Sequence, residues 1–476
     1  MSELSPPESR VSFLHQLQDL GDTLALVHLD LQSWWQASVL SRIFGWLHPW
    51  EQESWLLRLL EPLLALTTGG YFLLSSQAST TPLGLLLLLT AGLVILLGMK
   101  QPPALTPVHL ILGGFWLLAT LATLASPVRA EATEGWIKLT LYLIGFLGLH
   151  HLLRDPRYRT LLVWVLLFTS LFLNIYGVRQ HLYGVVQTAT WVDPNSRLAD
   201  ITRIYSYLGN PNLYAGFLVP LIPLSLGAAL YYRRWGVRLL AAWIGGLNLL
   251  CLLLTYSRAA WLGGMTATAV MGVLSVFWFT VDRPPVWRRN ILISLAAAAA
   301  LMLTAVITQV DSLRVRLLSI FAGRQDSSNN FRLNVWLSSL DMIRDFPWLG
   351  IGPGNDAFNR VYPLYQRADY SALSTYSLPL ELAVEVGIPG LLMFGWMLFV
   401  LGWQGWKQWQ VLLLQDRYQA LWIAVGLAAM AGMLVNALLD PVWYRPQIQM
   451  LWWFAVALVT SLLPTSSGGD DVQTST

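Results

Sequence analysis

The sequence predicts an all-α polytopic membrane protein of about 12 transmembrane helices, with one large helical exoplasmic loop before the tenth. Three observations predict it. The 476 residues are 55% hydrophobic and only 12% charged, with a mean hydropathy of +0.53; a soluble chain carries roughly twice that charged fraction. Apolar runs of about 20 residues, the length that crosses a hydrocarbon core, recur along the chain. One polar stretch, 310–378, interrupts them, although most connections between helices need only turn the chain round.

The N-terminal segment, 1–55, reads as cytoplasmic. Its first 20 residues are polar and lack the apolar core of a signal peptide. Within it, 24–50 mixes Leu, Val and Ile with Trp34, Trp35, Trp46 and Trp50. Two readings stand: an interfacial amphipathic helix, or a partly ordered tail with one docking helix. Nine spans are expected in 56–309, near 56–75, 82–98, 107–126, 134–153, 160–183, 212–231, 238–256, 259–280 and 289–309. Three more are expected in 379–464, near 379–402, 418–438 and 447–464. The tail 465–476 reads as disordered.

Basic residues set the orientation. With the N-terminus inside, the short inner loops carry twelve Lys and Arg and the short outer loops five. Both termini are then cytoplasmic, in an inner (plasma) membrane, and 310–378 is exoplasmic or periplasmic. The 24 Trp residues suit two membrane surfaces. A net charge of +3 gives no reason to expect nucleic acid. The single cysteine, Cys251, excludes an intrachain disulfide and a Cys-based zinc site. No metal and no cofactor is expected, and the partners are membrane lipid and a substrate. Internal repeats, which mark many secondary transporters, are not evident.

Candidate site residues gather where the outer ends of the spans are expected. Asn210 and Asn212 flank Pro211, either as helix caps or as amides facing a polar cavity. Ser257 and Arg258 stand between two apolar spans with almost no loop. An arginine at that depth faces a wet interior or snorkels to headgroups; its planar fork suits phosphate or carboxylate. In the long loop, 327–330 offer capping residues before a helix expected over 331–345. Leu333, Trp336, Leu337, Leu340 and Ile343 fall on one face of it. Arg332 opens that helix, ready to meet an anion with Arg258 or to form a surface salt bridge. Gly350, Gly352 and Gly354 precede Asn355, but no strand and no GK[ST] accompanies them, so a nucleotide loop is not expected. Seven Arg face six Asp in the loop, so an anion there must be held by specific residues. Glu381 and Glu385 share one helix face and mark a polar cavity or proton path. Asp440 and Arg445 are close enough in sequence to pair with each other.

These stretches resemble the O-antigen ligase and polymerase superfamily. The resemblance rests on Ser257-Arg258, on Phe331-Arg332-Leu-Asn-Val-Trp336, on the run from Phe346 to Asn355, and on Leu382-Ala-Val-Glu385-Val-Gly387, over about 209–395. It implies a fold similar to metal-independent integral-membrane glycosyltransferases. It further implies transfer of a glycan from a polyprenyl-diphosphate donor, such as undecaprenyl diphosphate, to a glycan or lipid acceptor. Arg258 and Arg332 would then hold the diphosphate. Ligases carry a His nine residues before the helix glutamate; here that position is Tyr376, a poor base with an unperturbed pKa of about 10. Arg258, Arg332, Tyr376 and Glu385 are thus the candidate catalytic residues. Asn210, Asn212, Ser257, Trp336, Asn355 and Glu381 are the candidate substrate-binding ones. The run from Thr375 to Glu385 and the Trp-rich N-terminus also resemble a cyanobacterial bicarbonate-transporter branch linked to inorganic-carbon accumulation. That makes bicarbonate transport one alternative and a non-catalytic envelope assembly role another.

Overall fold

The structure is a computed structural model that describes residues 8–43, 54–76, 80–184, 203–309, 314–315, 318, 323–367 and 370–464. The tail expected to be disordered, 465–476, lies outside the described residues, as do 44–53 of the Trp-rich segment. Every regular element among the described residues is helical.

Three helices open the chain: α1 (Glu8–Leu24), α2 (Leu31–Ala37) and α3 (Val39–Ile43). The described part of 24–50 thus holds two short helices, α2 and α3. The end of α1 docks through Leu24 O, which accepts the Trp396 indole N–H at 2.8 Å. There follow α4 (Trp55–Arg58), α5 (Leu60–Leu74), α6 (Thr80–Lys100), α7 (Pro107–Ala125), α8 (Arg129–Arg154) and α9 (Pro156–Tyr183). The next are α10 (Pro211–Tyr231), α11 (Trp235–Leu254), α12 (Arg258–Phe279) and α13 (Pro285–Gln309). Two helices lie in the polar stretch, α14 (Ser327–Asp345) and α15 (Asn355–Val361). The last three are α16 (Leu378–Gln415), α17 (Arg417–Ala437) and α18 (Pro446–Thr460).

Among the described residues, nine helices are long and apolar enough to cross a membrane. The three other expected spans coincide with α5, α13 and α18. The chain is a multi-pass membrane protein. Side-chain caps cut it into these pieces: Asp155 accepts the Arg157 N–H at 2.7 Å, and Asn210 accepts the Asn212 N–H at 2.8 Å. Each is followed by a proline at the first helical position, where a missing N–H costs nothing.

The core is built on α10 and α17, whose apolar windows are 89% and 78% buried. They pack on each other and on α12 and α18. A helix apolar all round belongs inside a bundle. The remaining long helices bury half or less of their windows, as helices at the rim of a bundle do.

The α14 helix begins four residues earlier than the sequence predicts. The Asp326 carboxylate, not 327–330, caps it, accepting the Asn329 N–H at 2.9 Å. Its buried face also differs from the expected one. Val335, Ser338, Ser339 and Met342 are buried, whereas Leu337 and Leu340 stay exposed. Two serines let α14 approach its neighbours more closely than two leucines would. With Ile351, Phe358, Val361 and Tyr362 it makes a second small core, which also takes in Ala132 of α8 and Val384 of α16. The polar stretch therefore sits on two spanning helices as a packed cap.

That seat fixes α16. Its helix is broken at Gly387, with φ +78° and ψ 177°. The segment 347–352 fills the break with backbone hydrogen bonds. Ile351 N–H donates to Val384 O at 2.8 Å, Gly352 N–H to Glu385 O at 3.0 Å, and Ile388 N–H to Pro347 O at 2.8 Å. On the other side, a Cβ at Gly135 of α8 would stand 1.9 Å from Pro353 O. The glycines of 350–354 thus serve close backbone packing between α8 and α16.

Candidate functional site

The face of the bundle that carries α14 and α15 brings several charged side chains together. Arg258 is the first residue of α12, after the tight turn that ends α11, and its side chain is buried. Its guanidinium NH2 donates to Asp326 Oδ1 at 2.9 Å. Arg332 stands on the second turn of α14, half-buried. Burial lowers its pKa, and the Asp440 carboxylate works against that shift while the Arg258 charge adds to it. No hydrogen bond or ion pair to its guanidinium is found among the described residues.

A third arginine joins them. Arg203 Nε donates to Thr255 O at 2.8 Å, and its NH2 donates to Asn212 Oδ1 at 2.7 Å. It is held between the end of α11 and the start of α10. Burial pushes its pKa down to about 10; Asp440 opposes the shift, and the charges of Arg258 and Arg332 reinforce it. The three guanidiniums therefore sense one another's charge. Like charges gathered in a buried site repel unless an anion is added.

The carboxylates that answer them are Asp326 and Asp440. Asp440 is 2% exposed, and its Oδ1 is buried without a hydrogen-bond partner. Burial pushes its pKa up to about 6, against the pull of Arg332 and Arg203. The pairing with Arg445 that its sequence position suggests does not form. The Arg445 guanidinium lies instead over the Tyr444 ring, 4.9 Å from its centroid. Asp440 turns inward because Pro441 starts a short 3-10 turn that leads Arg445 away.

Tyr376 borders the cluster with a left-handed backbone, φ +56°, and its ring meets Phe331 edge-on at 5.3 Å. Its hydroxyl pKa is pushed up to about 12, by burial first and then by Tyr444 and Asp440, with Arg332 opposing. At neutral pH it is a hydrogen-bond donor and not a base.

Next to this cluster lies a cavity of about 140 Å³. It is walled by α7, α8 and α16, closed by Pro353, Gly354 and Asn355, and lined by Trp443, Tyr444 and Trp453. Glu381 and Glu385 both line it. The Gly354 backbone N–H faces the Glu385 carboxylate. Glu381 is 8% exposed, and among the described residues its carboxylate has no hydrogen-bond partner or counter-ion. Tyr444 stands between the two regions: it lines the cavity and lies in the fields of both Glu381 and Asp440.

The residues singled out from sequence fall into three groups. Arg258 and Arg332 enter the arginine cluster, with Tyr376 beside it. Glu381, Glu385 and Asn355 line the cavity. The third group stands around these: Asn210 caps α10 with its side-chain oxygen, Asn212 accepts from Arg203 with its side-chain oxygen, and Ser257 is at the N-cap position of α12. Trp336 lies on α14 with its indole N–H buried and unpartnered. Arg203, Asp326, Asp440 and Tyr444 were not singled out as site residues. A signal for Arg203 existed in the Asn-Pro-Asn run close after it. Asp440 is the only acidic residue between α17 and α18, and its sequence position alone suggests a pair with Arg445.

Chemically, the cluster offers forked donors to a multiply charged anion, and the cavity offers carboxylates and aromatic faces to a polar ring. Residues 240–395 match the family described as O-antigen ligase, about a third of the chain. The match runs from within α11 to just past the break in α16 and includes Arg258, Arg332, Glu381 and Glu385. No curated protein matches the chain.

Proposed function

We propose that this protein transfers a glycan from a polyprenyl-diphosphate donor to a glycan or lipid acceptor at the exoplasmic face of an inner (plasma) membrane. The observation that carries the reading is the gathering of Arg203, Arg258 and Arg332 around two carboxylates, Asp326 and Asp440, among the described residues. A diphosphate is the leaving group of such a donor. As the bond from the anomeric carbon to the diphosphate oxygen breaks, negative charge grows on that oxygen. Preorganised guanidiniums are stronger there than in water and need no reorganisation. The α14 and α15 cap, seated on the bundle, screens the reacting carbon from bulk water. The positive-inside pattern supports an exoplasmic position for this face, with both termini in the cytoplasm.

Bicarbonate transport is the second reading, and the break in α16 favours it, since broken helices carry ion sites in many transporters. Against it, the freed backbone groups at Val384, Glu385 and Ile388 bond to 347–352 and are not left open to an ion. The arginine cluster also lies at the end of the bundle and not at its middle.

Mass spectrometry of lipids that co-purify with the full-length protein tests the proposal. The expected result is a polyprenyl-diphosphate species that is lost in Arg258→Ala. Its absence from the wild type, together with bicarbonate uptake into proteoliposomes that Arg258→Ala abolishes, would overturn the enzyme reading in favour of the transporter.

A further inference from the structure

The reading above leaves the acceptor proton without a destination, because Tyr376 stands where ligases carry a histidine. We infer that the cavity beside the arginine cluster is the acceptor subsite, and that Glu381 is the general base that takes the proton of the acceptor hydroxyl. The inference rests on the diphosphate reading and adds the second substrate to it.

Three observations carry it. A carboxylate 8% exposed, without a partner among the described residues, is costly to keep in an apolar span. Such a group persists where a ligand supplies its missing hydrogen bond. Second, the space it borders is about 140 Å³, an order of magnitude more than one water requires. It is the size of a sugar ring, with Trp443, Tyr444 and Trp453 giving flat apolar faces and Asn355 and Gln449 giving amides. Aromatic faces with a few convergent polar groups are what a pyranose needs. Third, Tyr444 is shared by the cavity and the arginine cluster. Tyr444 is therefore the residue at which the cavity adjoins the diphosphate site.

The step balances. The acceptor O–H gives its proton to the Glu381 carboxylate. Its oxygen forms a bond to the anomeric carbon of the donor. The bond from that carbon to the diphosphate oxygen breaks, and its electron pair leaves on the polyprenyl diphosphate, opposite the arginines. Glu381 ends protonated and returns its proton to the outer solution.

The test uses full-length protein in proteoliposomes. Transfer is followed with the radiolabelled lipid-linked glycan extract of the host membranes, which supplies donor and acceptor together. Diphosphate binding is followed separately with farnesyl diphosphate. Glu381→Gln keeps the shape and loses the base. It is expected to lower kcat at least about 10²-fold, with the farnesyl diphosphate Kd within about twofold of wild type. Glu381→Asp, which keeps a carboxylate one methylene back, should recover part of the loss. Transfer by Glu381→Gln at the wild-type rate overturns the inference and leaves the diphosphate reading intact. Loss of farnesyl diphosphate binding in Glu381→Gln also overturns it, because the residue would then serve the fold or the anion site. Wild-type protein whose farnesyl diphosphate binding is unchanged by Arg258→Ala overturns the diphosphate reading, and the inference with it.

Discussion

Arg258 and Asn329 share one oxygen of Asp326: the guanidinium NH2 lies 2.9 Å from Oδ1, and the Asn329 N–H donates to the same atom at 2.9 Å. One carboxylate thus caps α14 and holds the arginine at the start of α12. Because α14 carries Arg332, the separation of the two arginines is set through Asp326. The pair is nearly dry, with side chains 6% and 16% exposed, so it is screened less than a surface ion pair.

Two substitutions at Asp326 separate its duties. Asp326→Asn keeps a good N-cap and removes a negative charge from the cluster. It is expected to bind farnesyl diphosphate about 3- to 10-fold more tightly, the direction a lost counter-charge gives. Asp326→Ala also removes the cap, which costs about 1 kcal/mol. Hydrogen exchange at 327–332 should then speed up in the Ala variant and not in the Asn variant. Equal affinity in wild type and Asp326→Asn would mean that the carboxylate does not face the anion site.

The three arginines differ in what else they hold. Replacing Arg203, Arg258 or Arg332 by Ala should each weaken farnesyl diphosphate binding about 10- to 100-fold, the value of one charged hydrogen-bond contact. Lysine should rescue Arg332 better than Arg203. Arg203 spends two arms of its fork on Thr255 O and Asn212 Oδ1, and a lysine has no such fork. Asn212→Ala should therefore weaken binding through Arg203, by less than Arg203→Ala does. Titration calorimetry on the six variants checks the order.

The spans were legible in sequence because lipid demands long apolar helices, and Asp155-Pro and Asn210-Pro punctuate them. Arg258 was legible because it has no loop to sit in. The partners were not. Asp440 precedes Arg445 by one turn, and local spacing alone pairs them; only packing shows that the 3-10 turn sends Arg445 onto Tyr444 while Asp440 turns to Arg203 and Arg332. The buried face of α14 is hidden from sequence for a related reason. Leu337 and Leu340 look like core residues by type, yet the helix packs through Ser338 and Ser339, and small residues give no hydrophobic signal. The glycines at 350–354 marked a turn in sequence; their close approach to Gly135 and to the break in α16 depends on residues more than 200 positions away along one branch.

Asp440 gives the anion site a pH dependence of known sign. Its folded pKa is pushed up to about 6 from 3.8, chiefly by burial. Below that value it is neutral, and the cluster gains one net positive charge. Anion binding should strengthen as pH falls from 7.5 to 5.5. Asp440→Asn should bind more tightly than wild type at pH 7.5 and equally at pH 5; comparing the two proteins cancels the titration of the probe itself. Stability follows the same linkage. A carboxyl with a raised folded pKa contributes most below 3.8 and loses that contribution as pH rises through about 6. Asp440→Asn should thus melt higher than wild type at pH 7.5, with the gap closing toward pH 4.

The break in α16 is the other feature that a single substitution can probe. Gly387 has φ +78°, and a Cβ there would meet Trp348 O at 2.3 Å. Gly387→Ala adds left-handed strain of about 1 kcal/mol or more and a clash with backbone that cannot swing aside. Relief requires 347–352 to move away from Val384, Glu385 and Ile388, so the cavity wall and the seat of α14 open together. Loss of both farnesyl diphosphate binding and glycan transfer is expected, with a melting temperature several degrees lower. Gly92→Ala is the control, since it lies inside α6 with nothing within 4 Å of the new methyl and should melt no lower than wild type. If Gly387→Ala transfers glycan at the wild-type rate, the seam between 347–352 and α16 does not position the site.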